Sequence, residues 1–343
     1  MIGNGPAEPA AASVISDAPV LSSSRRLALF GMKNALPVAF LGIIVLFIAL
    51  QAPNFVSLGN AGDILRLSAP VMVVAVPMAF LLIMGHVDLS VGSVVALSAV
   101  VVGLLMTNLG WPPIPAILAG IFVSGLVGLL NGVLATYLGL SPVIVTLGML
   151  TAVRGAAMLL GPNNLYAFFP EEFASISYTG AFGIPYFGMI AAVVVAVGAF
   201  VLAWSPVGRH ALAIGVNEEA AFLSGINVRA TILVAYVATA AMAGLAGVMY
   251  AMLLNSAPSG TLGLLFELDV LIGVMLGGIA FNGGRGTIRG AVLGVLFLAI
   301  LQNGLILLGV PTSFGFLVKG AVLILAAALD RATLRATSAV KGR

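Results

Sequence analysis

The sequence predicts an all-α protein, a polytopic transmembrane helical bundle of about ten spans, one or two of them broken or re-entrant. Three observations carry this. Hydrophobic residues fill 61% of the 343 positions and charged residues only 7%, against roughly 25% charged in a soluble domain, so no water-facing surface can be assembled. Apolar runs of the ~18 to 20 residues that a bilayer's hydrocarbon core demands recur along the chain. The runs are continuous, without the alternation of barrel strands, so in lipid their backbone can be satisfied only as helix.

Positions 1–24, rich in Ala, Ser, Pro and Gly, cannot bury apolar surface, and residues 1–34 are read as a disordered N-terminal tail. The apolar run after Arg25, Arg26 and Lys33 lacks small residues at a cleavage spacing and is followed by further spans, so it reads as an uncleaved first helix over 36–52. Further spans are predicted over 68–85, 91–108, 114–137, 142–160, 186–204, 230–253, 268–281, 290–308 and 314–330. The segment 268–281 is short enough to be a broken or re-entrant helix, and its Gly273 and Gly277 favour close packing. A membrane domain over 35–331 and a tail over 332–343 complete the division.

With the N-terminus inside, Arg25, Arg26, Lys33, Arg209, Arg229, Arg285, Arg289, Arg331, Arg335, Lys341 and Arg343 fall on the cytoplasmic side, eleven of the fourteen basic residues. The exceptions are Arg66, Arg154 and Lys319. That bias predicts an even span count and both termini in the cytoplasm. The outer side carries Asp63, Glu171, Glu172, Glu267 and Asp269, acids available to a positively charged docking partner or simply solvated. Asp63 and Arg66 stand at helical pairing distance. The net charge of +3 follows from topology and gives no reason to propose nucleic acid as a partner. The absence of cysteine excludes disulfides, thiolate catalysis and Cys-ligated metal. Gly128 with Gly132, and Gly290 with Gly294, repeat a spacing that lets membrane helices approach closely.

The longest polar break of the second half runs from Ser205 to Arg229. It predicts a short helix capped by Asn217, with Glu218 and Glu219 at the positive end of its dipole and Gly225 in its C-terminal turn. Small Ala220 and Ala221 on that helix suit the groove of a cytoplasmic partner. An ordinary interfacial helix is the alternative.

The Glu219-Ala220-Ala221 then Gly225 spacing resembles the EAA loop of ABC importer permeases. Over about residues 40–331 the chain is similar to the ribose-type sugar permeases. Related strings stand in the same order: Asp88-Leu-Ser-Val-Gly92, Leu130-Asn-Gly132, Val143-Ile-Val-Thr-Leu-Gly148 with Arg154-Gly155, the 205–229 loop, then Leu276-Gly-Gly278 with Gly283-Gly-Arg-Gly286. His86 departs from the family, which usually has a second glycine there. The resemblance implies a permease subunit of a binding-protein-dependent importer in the cytoplasmic membrane, docked through the loop onto ATPase subunits. It implies an extracytoplasmic sugar-binding protein and a second permease, identical or not, as partners beside membrane lipid. No cofactor is expected on this chain, ATP and Mg belonging to the ATPase.

Candidate path residues are Asp88, Ser90, Asn131, Thr146, Arg154 and Asn303, with Gln302 beside the last. A carboxylate such as Asp88 costs about 2.5 to 3.5 kcal/mol at a bilayer centre, so it belongs either to a helix break facing a wet cavity or to a cytoplasmic turn. A metal at His86 and Asp88 has too few ligands. Arg154, roughly 12 residues into its span, either lines the path or bonds helix ends. Thr146, Asn131, Gln302 and Asn303 suit brief contact with a hydroxyl-rich solute, or interhelical hydrogen bonds equally. The Gly283-Gly-Arg285-Gly286 turn lacks the ending of a phosphate loop, so ATP is expected on another chain.

Other function classes fit less well. An ion-coupled secondary transporter would bury more acids than Asp88. An intramembrane enzyme would need a His pair or clustered carboxylates that the spans lack. Within the importers, branched-chain amino acids or nucleosides are the alternative solutes.

Overall fold

The computed structural model describes residues 35–51, 54–161, 169–280, 283–311, 313–325 and 328. Both tails, 1–34 and 332–343, lie outside the described residues, and with them Arg25, Arg26, Lys33, Arg331, Arg335, Lys341 and Arg343. The helices follow in chain order as α1 (Ala35–Gln51), α2 (Leu58–Ile83), α3 (Val91–Gly103, continued by a wider π turn over Leu104–Asn108), α4 (Pro113–Thr136), α5 (Pro142–Leu160) and α6 (Glu171–Ser175). A two-residue hairpin pairs β1 (Gly180–Ala181) with β2 (Ile184–Pro185). Then come α7 (Tyr186–Trp204), α8 (Pro206–Val216), α9 (Glu218–Leu223), α10 (Val228–Leu254), α11 (Phe266–Leu276), α12 (Ile288–Leu307) and α13 (Ser313–Leu325).

Each of the ten expected spans overlaps a helix among the described residues. Among the described residues α2, α3 with its π turn, α4, α5, α7, α10 and α12 are long and apolar enough to cross a membrane, while α1, α11 and α13 are shorter. The short α11, at 11 residues, bears out the expectation of a broken helix. It follows an irregular return over 255–265 that leaves α10 through left-handed Asn255 and enters α11 through left-handed Leu265.

The second span begins at Leu58, not at 68. Ser57 caps it by accepting the Asn60 N–H at 3.1 Å, and the polar residues Asn60, Asp63 and Arg66 lie on the helix itself. Pro70 and Pro77 sit inside α2 and are buried with nearly everything from Ser68 to Ile83. Proline removes a helix donor, and burial against neighbouring helices is where a membrane helix tolerates that.

Helix α10 packs on α4, α2 and α3 and forms the centre of the bundle. Glycines set the approach distances. A side chain at Gly128 of α4 would run into the Tyr236 carbonyl and Ala240 of α10. One at Gly290 or Gly294 of α12 would meet the backbone of α11 at Gly277 or Gly273. These are the small-residue contacts that associate helices where no hydrophobic force acts between them.

The bundle has two chemically distinct ends. At one, the Arg229 guanidinium lies 5.8 Å from the Tyr137 ring, and the Gly284 N–H donates to the Ile83 carbonyl at 2.8 Å. Arg209, Arg229, Arg285 and Arg289 belong to this end. At the other, the Phe169 N–H donates to Asn255 Oδ1 at 3.0 Å and the Tyr178 hydroxyl to the Leu253 carbonyl at 3.2 Å, beside Glu171 and Glu172. The three basic residues that break the charge bias are all engaged. Arg66 pairs with Asp63 at 2.7 Å and lies 4.8 Å over the Tyr178 ring, Arg154 binds backbone carbonyls, and Lys319 pairs with Asp269.

Candidate functional site

The basic end carries an element that belongs neither to lipid nor to the core. The polar break contains two helices where one was expected: α8, capped by Ser205 with Pro206 in its first turn, and α9, capped by Asn217. The Ser205-Pro206 pair is a helix-start signal that reads on its own as mere polarity. Asn217 Oδ1 accepts the Ala220 N–H at 2.9 Å, and both Glu218 and Glu219 stand exposed in the first turn. Gly225, at φ +85°, ends the element, with its N–H on the Phe222 carbonyl and the next N–H on that of Ala221.

Ala211, Ile214 and Ala221 are buried beneath this element, whereas Ala220 is exposed and Phe222 and Leu223 are 68% and 78% exposed. Two large apolar side chains therefore project beside two carboxylates from a capped, rigid turn. Removing the cap by Asn217→Ala costs about 1 kcal/mol of helix stability. Hydrogen exchange at the Ala220 amide is expected to speed up about fivefold.

Gly215, the penultimate residue of α8, abuts backbone on two sides. A side chain there would run into the Ile83 carbonyl oxygen and the Gly284 nitrogen. The α8–α9 element, the C-terminus of α2 and the 283–286 turn are thus locked together, the last two by the Gly284 to Ile83 hydrogen bond.

Directly beyond Ile83, residues 84–90 break the helical path between α2 and α3. Asp88 is fully buried in this break. Its Oδ1 accepts the Ser90 N–H at 2.8 Å and the Ser90 hydroxyl at 2.6 Å, and Asn131 Nδ2 of α4 approaches both carboxylate oxygens at 3.3 Å. Tyr236 of α10 donates its hydroxyl to the Val87 carbonyl at 3.1 Å and meets the His86 ring edge-on. Asp88, Ser90 and Asn131 therefore form one hydrogen-bonded latch pinning the break to α4. They line none of the cavities described below.

Arg154 bonds backbone carbonyls on two segments. Its Nη1 donates to the carbonyls of Ser259, at 3.1 Å, and Leu262, and its Nη2 to that of Gly92 at 3.2 Å. It staples the irregular return between α10 and α11 to the start of α3. Thr146 spends its hydroxyl on the Pro142 carbonyl one turn back, at 2.8 Å. Asn303 donates to Asn60 Oδ1 of α2 at 2.8 Å and lines a cavity of about 280 Å³ between α2, α10, α11, α12 and α13. Gln302, Tyr250, Asp269 and Lys319 line it too. Asp269 and Lys319 are not legible in the sequence as a pair because 50 residues separate them. Each stands out singly, Lys319 as a base on the wrong side and Asp269 as an acid at a span.

A helical membrane bundle with broken helices, polar groups buried at the breaks and a capped element presented at its basic end is the transmembrane subunit of a solute transporter. The family profile described as branched-chain amino acid transport system / permease component matches residues 60–327, and the chain belongs to that family. It is 36% identical over 308 residues to the ribose import permease protein RbsC of Bacillus subtilis (strain 168), covering 88% of this chain and 93% of the relative. It is 33% identical over 290 residues to the D-allose transport system permease protein AlsC of Escherichia coli (strain K12), with 84% and 88% covered. The L-arabinose ABC transporter permease protein AraH of Azospirillum brasilense is 35% identical over 297 residues, with 84% and 87% covered. No solved structure matches the chain.

Proposed function

We propose that this chain is the permease subunit of an ATP-driven importer that carries a monosaccharide or related sugar across the cytoplasmic membrane. The α9 element carries the reading: an acidic, capped turn with Phe222 and Leu223 exposed suits a groove on an ATPase subunit. The sugar follows from the relatives, whose names specify ribose import, D-allose transport and an L-arabinose ABC transporter. A zwitterionic amino acid would call for unpaired ionic groups, and the buried Asp269 and Lys319 are spent on each other, which favours a neutral solute.

The basic end, with both termini, faces the cytoplasm. ATP and Mg sit on the separate ATPase chain. A second permease, identical or related, completes the membrane unit. The extracytoplasmic sugar-binding protein docks at the end that carries Glu171 and Glu172. When the ATPases close, α9 moves as a lever, Gly215 passes the motion to Ile83 and the 283–286 turn, and the break at 84–90 with its Asp88 latch shifts against α4.

The test is reconstitution with the ATPase and the binding protein. Glu219→Lys reverses a charge on the docking face and Phe222→Asp removes its apolar contact. Both are expected to abolish ATP-dependent uptake and to release the ATPase, with membrane insertion unchanged. Normal uptake by both variants would remove α9 from the coupling path.

A further inference from the structure

The cavity of about 280 Å³ has features that neither coupling nor packing uses. Its wall is mostly apolar, with polar groups at few points. On one side Lys319 Nζ sits 2.7 and 2.9 Å from the two Asp269 oxygens, both side chains largely buried. Ionisable residues within membrane helices face a bundle interior or a solute path, and this pair has no net charge with which to attract an ion. On the other side stands Asn303, 9% exposed. Its Nδ2 is used by Asn60, but its Oδ1 has no hydrogen-bond partner among the described residues. That oxygen is itself shielded from solvent, and a buried acceptor without a partner is under-satisfied until a donor arrives. Gln302 adds a donor and an acceptor, and Tyr250 an aromatic ring.

The cavity also has a neighbour. A second space of about 240 Å³, bounded by the return between α10 and α11, shares Tyr250 and Asp269 with the first. These two residues stand between the first cavity and the acidic end of the bundle.

We propose that the cavity between α2, α12 and α13, bounded by Asn303, Gln302 and the Asp269–Lys319 pair, binds a neutral polyhydroxylated solute of monosaccharide size in transit. The inference rests on the importer reading. A turn of the Asn303 amide brings its Oδ1 to a solute hydroxyl, Gln302 exchanges hydrogen bonds with another, and the apolar wall takes the C–H face. The neutral ion pair offers further donors and acceptors without discriminating for charge. The volume lies just below the roughly 300 Å³ at which pockets for drug-sized ligands begin, so larger oligosaccharides are excluded. Brief occupancy suits a carrier, since a site that held its solute tightly would not release it.

The chain contains no cysteine, so an introduced thiol is the only one on this subunit, and its modification is read on this subunit after separation from its partners. In vesicles holding the complete importer, Gln302→Cys is treated with a small methanethiosulfonate reagent, with and without whichever of ribose, allose or arabinose the cysteine-free parent takes up. The transported sugar is expected to slow modification about tenfold, and a sugar that is not transported to leave it unchanged. Asn303→Leu, which removes the unpartnered acceptor at similar volume, is expected to raise the half-saturating sugar concentration about five- to tenfold while the ATPase stays associated. An unreactive thiol, or equal modification with and without the sugar, alongside normal uptake by the parent overturns the site and leaves the importer reading intact. Absence of ATP-dependent uptake of any sugar by the parent overturns both.

Discussion

Gly215→Val is expected to abolish sugar uptake while the ATPase remains bound and still hydrolyses ATP. The docking face of α9 lies beyond Asn217 and is untouched by the substitution. What changes is the other end of the lever. Any Cβ at position 215 meets the Ile83 carbonyl oxygen and the Gly284 nitrogen, and backbone on both sides leaves no flexible atom to yield. Overpacking of this kind costs about 1 to 3 kcal/mol, relieved by pulling α8 away from α2 and the 283–286 turn. The Gly284 to Ile83 hydrogen bond is then the first to give way, and the approach to the Asp88 break opens with it. ATP hydrolysis and uptake measured together on one preparation separate this from misfolding. Gly59→Ala, at a glycine with open space around it, is the control. Uptake at the normal rate by Gly215→Val would show that motion does not pass through this contact.

The spans were legible in the sequence because lipid leaves an apolar run no alternative to helix. The ends of spans were less so. The expected span over 68–85 starts after Asp63 and Arg66, whereas α2 begins ten residues earlier, with Asn60 held by Asn303 across the bundle and Arg66 by Asp63 one turn away. Polarity is therefore a poor marker of a helix end wherever a partner on another segment absorbs it. The α9 element could be read in full, since a cap, a dipole and a C-terminal glycine are all local signals. Helix α8 beside it shows the limit, its Ser205-Pro206 start being hidden within a stretch that looked uniformly polar.

The candidate path residues divide for the same reason. Asp88, Ser90 and Asn131 assemble into one latch although Asn131 lies 43 residues from Asp88, and no spacing rule predicts that pairing. Thr146 satisfies itself within its own helix. Asp269 and Lys319 meet because α11 is short and α13 returns beside it. Such long-range pairs are set by how helices turn back in the membrane, which a single sequence does not record.

Arg154→Ala is expected to lower the yield of folded protein and its melting temperature, and uptake only in proportion. The guanidinium fans hydrogen bonds onto the carbonyls of Ser259, Leu262 and Gly92. These carbonyls belong to the irregular return before α11 and to the first turn of α3, where no regular helix ladder accounts for all of them. Hydrogen bonds to a charged group are worth about 1.5 to 3 kcal/mol each, so even with strong non-additivity their removal together costs roughly 3 kcal/mol or more. Arg154→Lys retains the charge but not the planar fork, so it should restore part of the bonding and an intermediate melting temperature. The measurement is thermal unfolding in detergent beside uptake normalised to folded protein. If Arg154→Ala were as stable as the parent yet inactive, the arginine would touch the solute. If the return it holds is a strut, stability and uptake fall together, and Arg154→Lys lies between.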